Sequence, residues 1–242
     1  MSPARLFLLC LLLATGAQSR ADGKLALAGA EYGGSNGYYY AGLLVPFPGS
    51  DLGNGLVQRY WVDWLRYEYD NGTRTITAKA PGAAVALGYA KSAEAGSFSV
   101  YAGPVYRNTD LSPDDPGSDV RGARWGMNLS LQAERSLDES WRANGIASYT
   151  TGTDSYWMRG RLTRSFYTHH DIGVEAIFHG NDDYNAWQAG FVLLGLQPAP
   201  HTLLGFKTGA KKNQRRSSLS LRRHRTRAEF LALTAAKSNL SA

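Results

Sequence analysis

Apolar and polar residues alternate along most of this chain, one residue at a time. Between Ala123 and Ser136, Trp125, Met127, Leu129 and Leu131 share one face, and Gly126, Asn128, Ser130, Gln132 and Glu134 share the other. A period of two marks a strand with one oily and one polar side. The pattern recurs. Ile172, Val174, Ala176 and Phe178 oppose Gly173, Glu175, Ile177 and His179, while Tyr156, Met158, Leu162 and Phe166 oppose Trp157, Arg159, Arg161, Thr163 and Ser165. No helical period of useful length appears.

The alternation and its breaks predict eleven strands: 37–46, 56–69, 74–80, 83–91, 97–107, 123–136, 141–150, 156–167, 171–179, 186–197 and 202–210. Merging 74–91 into one bulged strand and adding 24–31 also makes eleven. Many of these segments are longer than the roughly 5–6 residues usual in soluble sheets. They suit the roughly 9–11 residues of a tilted membrane strand. Tyr67, Tyr69, Tyr106, Trp125, Trp141, Tyr149, Tyr156, Tyr184 and Trp187 fall near strand ends, where a bilayer meets water. The expected fold is all-β: an antiparallel up-and-down outer-membrane-type β-barrel of about 10–12 strands over residues 22–210. A soluble periplasmic β-barrel or sandwich is the alternative, since its strands also alternate.

Connector lengths bear on orientation. With 37–46 rising outward, 47–55, "PG" at 81–82, 108–122, "TGTDS" and "GNDDYN" fall on the outer side. "DNGT", 92–96, "LDES", "THH" and "PAPH" fall on the periplasmic side. The longest loops then share one side, as outer-membrane barrels require. An even strand number with both ends in the periplasm is also expected, so one more strand should follow Ala210.

The first 21 residues, "MSPARLFLLCLLLATGAQSRA", read as a signal peptide. Arg5 precedes a short apolar run, and small residues mark cuts after Ser19 or Ala21. The single cysteine, Cys10, lies in that run, so the exported part has no disulfide to stabilise it. Net charge is +6 but unevenly placed. Residues 201–242 hold ten bases and one acid, Glu229, whereas 22–200 hold 14 bases and 19 acids. A mildly acidic body argues against nucleic-acid binding by the barrel, since neutralising phosphates needs clustered Lys and Arg. The basic tail, 211–242, is expected to be poorly ordered. It is either a genuine extension that meets an acidic partner or the product of an altered reading frame near Lys211.

Two blocks, "VQRYWVDWLRYEYDNG" and "YAGPVYRNTDLSPDDPGSDVRGARWGMNL", with "GYYYAGLLVPFPG" and "LGY" at 87–89, resemble the cellulose biosynthesis protein BcsS family. The resemblance runs from about Tyr38 to about Ala210. It implies an exported β-rich protein of the outer membrane, linked to bacterial cellulose production. None of the matching motifs is catalytic, and the basic tail departs from the ending expected of the family.

Candidate chemistry is sparse. His169, His170 and Asp171 sit at a predicted turn, and adjacent strand residues point to opposite faces, so a shared metal is not expected. Asp110, Asp114, Asp115 and Asp119 match no calcium-loop spacing. His179 and Glu175 with Ser165 or Ser148 would make a hydrolytic set, as in a lipid-modifying barrel enzyme, but no nucleophile motif accompanies them. The protein is therefore expected to be no enzyme and to need no cofactor or metal. An interior polar network is expected from Glu134, Asn144, Arg159, Arg161 and Glu175, with Asn128 and Gln132 on the same face. Outer loops bearing Asp114, Asp115, Asp182, Asp183 and Tyr184 are the expected glucan contacts. Expected partners are outer-membrane lipid and cellulose or cellulose synthase components.

Overall fold

The computed structural model describes residues 15–21, 23–167, 170–181, 184–199 and 201–215. Among these, twelve antiparallel strands close into a barrel in which each strand pairs with its neighbours in sequence and β1 returns to β12. The strands are β1 (Thr15–Ala21), β2 (Lys24–Gly33), β3 (Asn36–Pro46), β4 (Asn54–Asp70), β5 (Thr75–Ala93) and β6 (Gly96–Ser112). They continue with β7 (Gly122–Ser136), β8 (Trp141–Thr150), β9 (Ser155–Tyr167), β10 (His170–Gly180), β11 (Tyr184–Ala199) and β12 (Thr202–Arg215).

Several boundaries differ from those expected, and β6 runs five residues past 107 to Ser112. The break at "PG" does not occur, and the merged alternative over 74–91 with an added strand at 24–31 holds: β5 runs straight through Pro81 and Gly82, and Pro81 stands opposite Trp64 of β4. The ladder to β6 omits Ala80 and Pro81, so the missing proline N–H is accommodated on that side while the β4 side stays paired. Strand β12 continues five residues past Ala210, so the basic tail begins inside the barrel wall. Residues 216–242 lie outside those described, as does most of the segment read as a signal peptide, but Thr15–Ala21 pairs as β1.

Running through Pro81 also re-sorts the connectors. One end of the barrel carries 34–35, 71–74, 113–121, 151–154 and 181–183, and is called here the loop end. The other, the turn end, carries 22–23, 47–53, 94–95, 137–140, 168–169 and 200–201. The "DNGT" turn thus joins the long 113–121 loop, and 47–53 moves to the side of the short turns. At the turn end Asp138 accepts bonds from the N–H groups of Ser140 (2.7 Å) and Trp141 (2.8 Å), which holds its carboxyl below the usual carboxylate range. At the loop end Tyr69 donates to Asp115 (2.8 Å) and Arg74 to the Asp114 carbonyl (2.6 Å), so the 113–121 loop is tied down onto the β4–β5 turn.

The distribution of apolar side chains is inside out. Val62, Leu87, Met127, Leu129, Met158, Ile172, Val174 and Phe191 all face outward and are exposed. Among the described residues, only Ile76 and Val57 are large side chains that are fully buried. In water each outward residue would forgo roughly 1.5–3 kcal/mol of burial. A wall of this kind is matched to hydrocarbon. Several exposed aromatic residues lie within a few residues of strand ends, Tyr32, Trp125, Tyr149 and Phe178 toward the loop end and Tyr89, Phe98 and Phe166 toward the turn end, while Tyr60, Trp64 and Phe191 stand mid-strand.

Candidate functional site

The inward faces carry the chemistry, and register decides what meets there. Glu175 of β10 stands opposite Arg161 of β9, which stands opposite Asn144 of β8, which stands opposite Glu134 of β7. Arg161 donates from Nε to Glu175 Oε2 at 2.9 Å, and a second guanidinium nitrogen donates to the same oxygen. Arg159 lies one inward position away. It donates to Asn144 Oδ1 at 2.8 Å and approaches Glu175 at 3.8 Å. Lys207 of β12 reaches Glu175 Oε1 at 3.5 Å and Glu31 of β2 at 2.5 Å. Glu175 is therefore the anion shared by three cations from two strands. It is 6% exposed. A buried carboxylate with three charged donors is a stable state; the same cations without it would not be.

Of the five residues expected to form this network, Asn144, Arg159, Arg161 and Glu175 are brought together. Glu134 shares their row but is exposed two residues from the end of β7 and lies outside the bonded set. Glu31 and Lys207 complete the network and were not singled out from the sequence. Each occupies an inward strand position, which was the signal available.

A second pair shows how small residues make room. Asp63, Gly82 and Arg107 are consecutive partners across β4, β5 and β6. Arg107 bonds both Asp63 oxygens (2.8 and 3.0 Å) by passing over Gly82. A Cβ at Gly82 would stand 2.8 Å from Asp63 Oδ1 and 2.9 Å from the guanidinium. Arg59 of β4 likewise bonds Asn128 of β7 (3.2 Å), three strands away, with Tyr101 beneath its guanidinium at 4.5 Å. The inner face of β5 is almost entirely Ala and Gly, which opens these paths.

Aromatic rings lie over glycines on the same wall. Tyr40 is paired with Gly29, Trp61 with Gly42 and Tyr101 with Gly88. Tyr40 and Trp61 stack at 4.9 Å between centroids. A Cβ at Gly42 would stand 2.3 Å from the Trp61 ring, whereas one at Gly160 would touch nothing within 4 Å. Gly42→Ala is therefore expected to lower stability by about 1–3 kcal/mol through forced ring displacement, with a shift in tryptophan emission. Gly160→Ala is expected to leave both unchanged. Equal effects of the two in urea titrations would contradict the packing described.

The remaining candidates are engaged elsewhere. Asp114 forms a two-pronged pair with Arg121 (2.6 and 2.9 Å), and Asp115 accepts from Tyr69. Asp182, Asp183 and the Tyr184 side chain lie outside the described residues, as does His169. Ser165 donates to Asp171 (2.6 Å), Ser148 to the Trp157 carbonyl (3.5 Å), and His179 faces Gln188 (3.3 Å). Their described hydrogen bonds assemble no serine–histidine pair.

The model of the family "Cellulose biosynthesis protein BcsS" matches residues 25–224, which spans β2 through β12. The chain belongs to the BcsS family. No curated protein matches it significantly. Among solved structures it is similar to a "KdgM porin", at 12% identity and a TM-score of 0.36, covering 83% of this chain and 98% of that one. It is also similar to a "KdgM porin in complex with disordered oligogalacturonate", at 11% identity and a TM-score of 0.33, with the same coverages. The architecture of this BcsS chain rests on its own strand pairing, and its polar interior lies within the matched span.

Proposed function

We propose that this BcsS-family protein is a non-enzymatic barrel of the bacterial outer membrane that supports cellulose production or export at the cell surface. The observation that carries this reading is the inside-out wall, apolar outside and ion-paired within, in a chain of a cellulose-biosynthesis family. Such a wall is the one that lipid as a solvent favours. Bonds such as Arg59–Asn128 and Arg107–Asp63 run along the inner wall and tie nearby strands together, which supports a braced scaffold. Contact with glucan or synthase components then falls to the exposed ends, chiefly the loop end with Asp182, Asp183, Tyr184 and the 113–121 loop that Asp114 and Asp115 hold in place.

Cell fractionation with an unheated detergent gel tests this. The protein is expected in the outer-membrane fraction, migrating faster before boiling than after, and its deletion is expected to lower surface cellulose. Recovery from the periplasm without a heat shift would overturn the membrane assignment. Unchanged cellulose in the deletion strain would overturn the role.

A further inference from the structure

Three aromatic rings make a floor on the inner wall where β3 and β4 meet. Tyr38 and Tyr40 of β3 and Trp61 of β4 all occupy inward strand positions. Tyr40 and Trp61 are 10° from parallel with centroids 4.9 Å apart, and Tyr38 adjoins Tyr40 at 5.6 Å. The Trp61 Nε1–H donates to the Tyr38 hydroxyl at 3.4 Å and ties the set together. Each stacked ring leans onto a glycine of the preceding strand, Tyr40 onto Gly29 and Trp61 onto Gly42. A ring laid over a glycine turns one face to the wall and leaves the other toward the lumen. All three rings are half-buried, whereas Tyr101, with the Arg59 guanidinium over its face, is buried.

Hydrogen-bonding groups flank this floor. Asp63 stands opposite Tyr40 and is paired with Arg107 on one side. Glu31 stands opposite Tyr38 and is paired with Lys207 on the other. These four side chains keep 10–23% of their surface exposed, so the floor is bordered by wetted donors and acceptors. Across the lumen, Arg159 and Arg161 of β9 lie close enough to the Tyr40 hydroxyl to interact with it electrostatically.

We propose that this floor binds a β-linked glucan chain inside the barrel, which rests on the cellulose reading above and adds a lumenal contact to those at the barrel ends. The chemistry of the sugar fits the site. The ring hydroxyls of β-linked glucose are equatorial, so its two faces present C–H groups that seat on aromatic faces, and its rim presents hydroxyls that need donors and acceptors at the sides. The ligand is neutral and leaves the ion pairs on both flanks intact. A glucan is also the polymer that a cellulose-biosynthesis family handles. The floor is reached from the loop end: Tyr38 is the third residue of β3, beneath the short 34–35 turn, and Trp61 lies mid-strand in β4.

Calorimetric titration of the purified, folded full chain in detergent with cellopentaose tests this. Binding is expected, with saturation transfer from protein to sugar strongest at the ring C–H protons in NMR. Tyr40→Leu and Trp61→Leu are each expected to weaken binding by about tenfold. Tyr60→Leu, an outward tyrosine beside Trp61, is expected to leave it unchanged. Maltopentaose, whose α-linkages coil the chain away from a flat floor, is expected to bind much more weakly. The heat shift shows which variants have closed, and the comparison of the two sugars needs no variant. No binding of cellopentaose by the closed barrel, equal affinity for maltopentaose, or full affinity in closed Tyr40→Leu and Trp61→Leu barrels would each overturn the proposal. Lowered surface cellulose in the deletion strain without cellopentaose binding would remove this site and leave the reading above standing, and binding without that phenotype would do the reverse.

Discussion

Glu175→Gln is expected to lower the unfolding free energy by about 3 kcal/mol, the low end of what removing one partner from a buried ion pair costs. The glutamine keeps the size and loses the charge. Arg161 would then lose the carboxylate it is bonded to, and Arg159 and Lys207 would lose the anion they share with it. The low end applies because these side chains keep some solvent contact, 17–20% for the three cations. Three like charges left together also repel, so the deficit is expected to shrink at high salt. Urea titration of the folded barrel, followed by gel shift and tryptophan emission at low and high ionic strength, measures both. An unfolding midpoint equal to that of the unmodified protein would show that Glu175 does not hold the interior.

Leu129→Arg is expected to cost about 2–4 kcal/mol, the penalty for arginine at the midplane of a barrel's lipid face. Leu129 sits mid-strand in β7, 56% exposed, between outward Met127 and Leu131. Leu137→Arg is the control: it is 57% exposed but lies in the 137–140 connector at the turn end, where water is available. The two leucines are equally bare and differ only in depth. In a bilayer the first substitution is costly and the second nearly neutral. In a soluble barrel both would be tolerated. Yield of heat-modifiable protein and urea midpoints of the two variants separate these outcomes, and near-identical values would remove the lipid-facing wall.

Much of the fold is legible in single residues. The odd-numbered face of 123–136 and the even-numbered face of 172–178 point outward as their hydrophobicity demands. A proline proved the weak signal. Pro81 suggested a break because it lacks an N–H, yet in β5 it sits where the ladder to β6 is already interrupted. That single misreading reversed the side assigned to 47–53 and 71–74. The interior was legible as a polar face but not as a set of partners. Asn144, Arg159, Arg161 and Glu175 were visible as inward polar residues. Glu31 and Lys207, 176 positions apart, meet only because the barrel closes.

The chain by itself determined which side of each strand is oily, because side chains alternate with a period of two whatever the strand pairs with. It also narrowed the product to a barrel or a sandwich of long antiparallel strands, and the closure of β1 onto β12 decided between them. Only the tertiary structure decided which charges meet. Register sets the long side chain opposite the short one, Arg107 over Gly82 and Trp61 over Gly42, and a shift of one residue would turn every one of them to the other face.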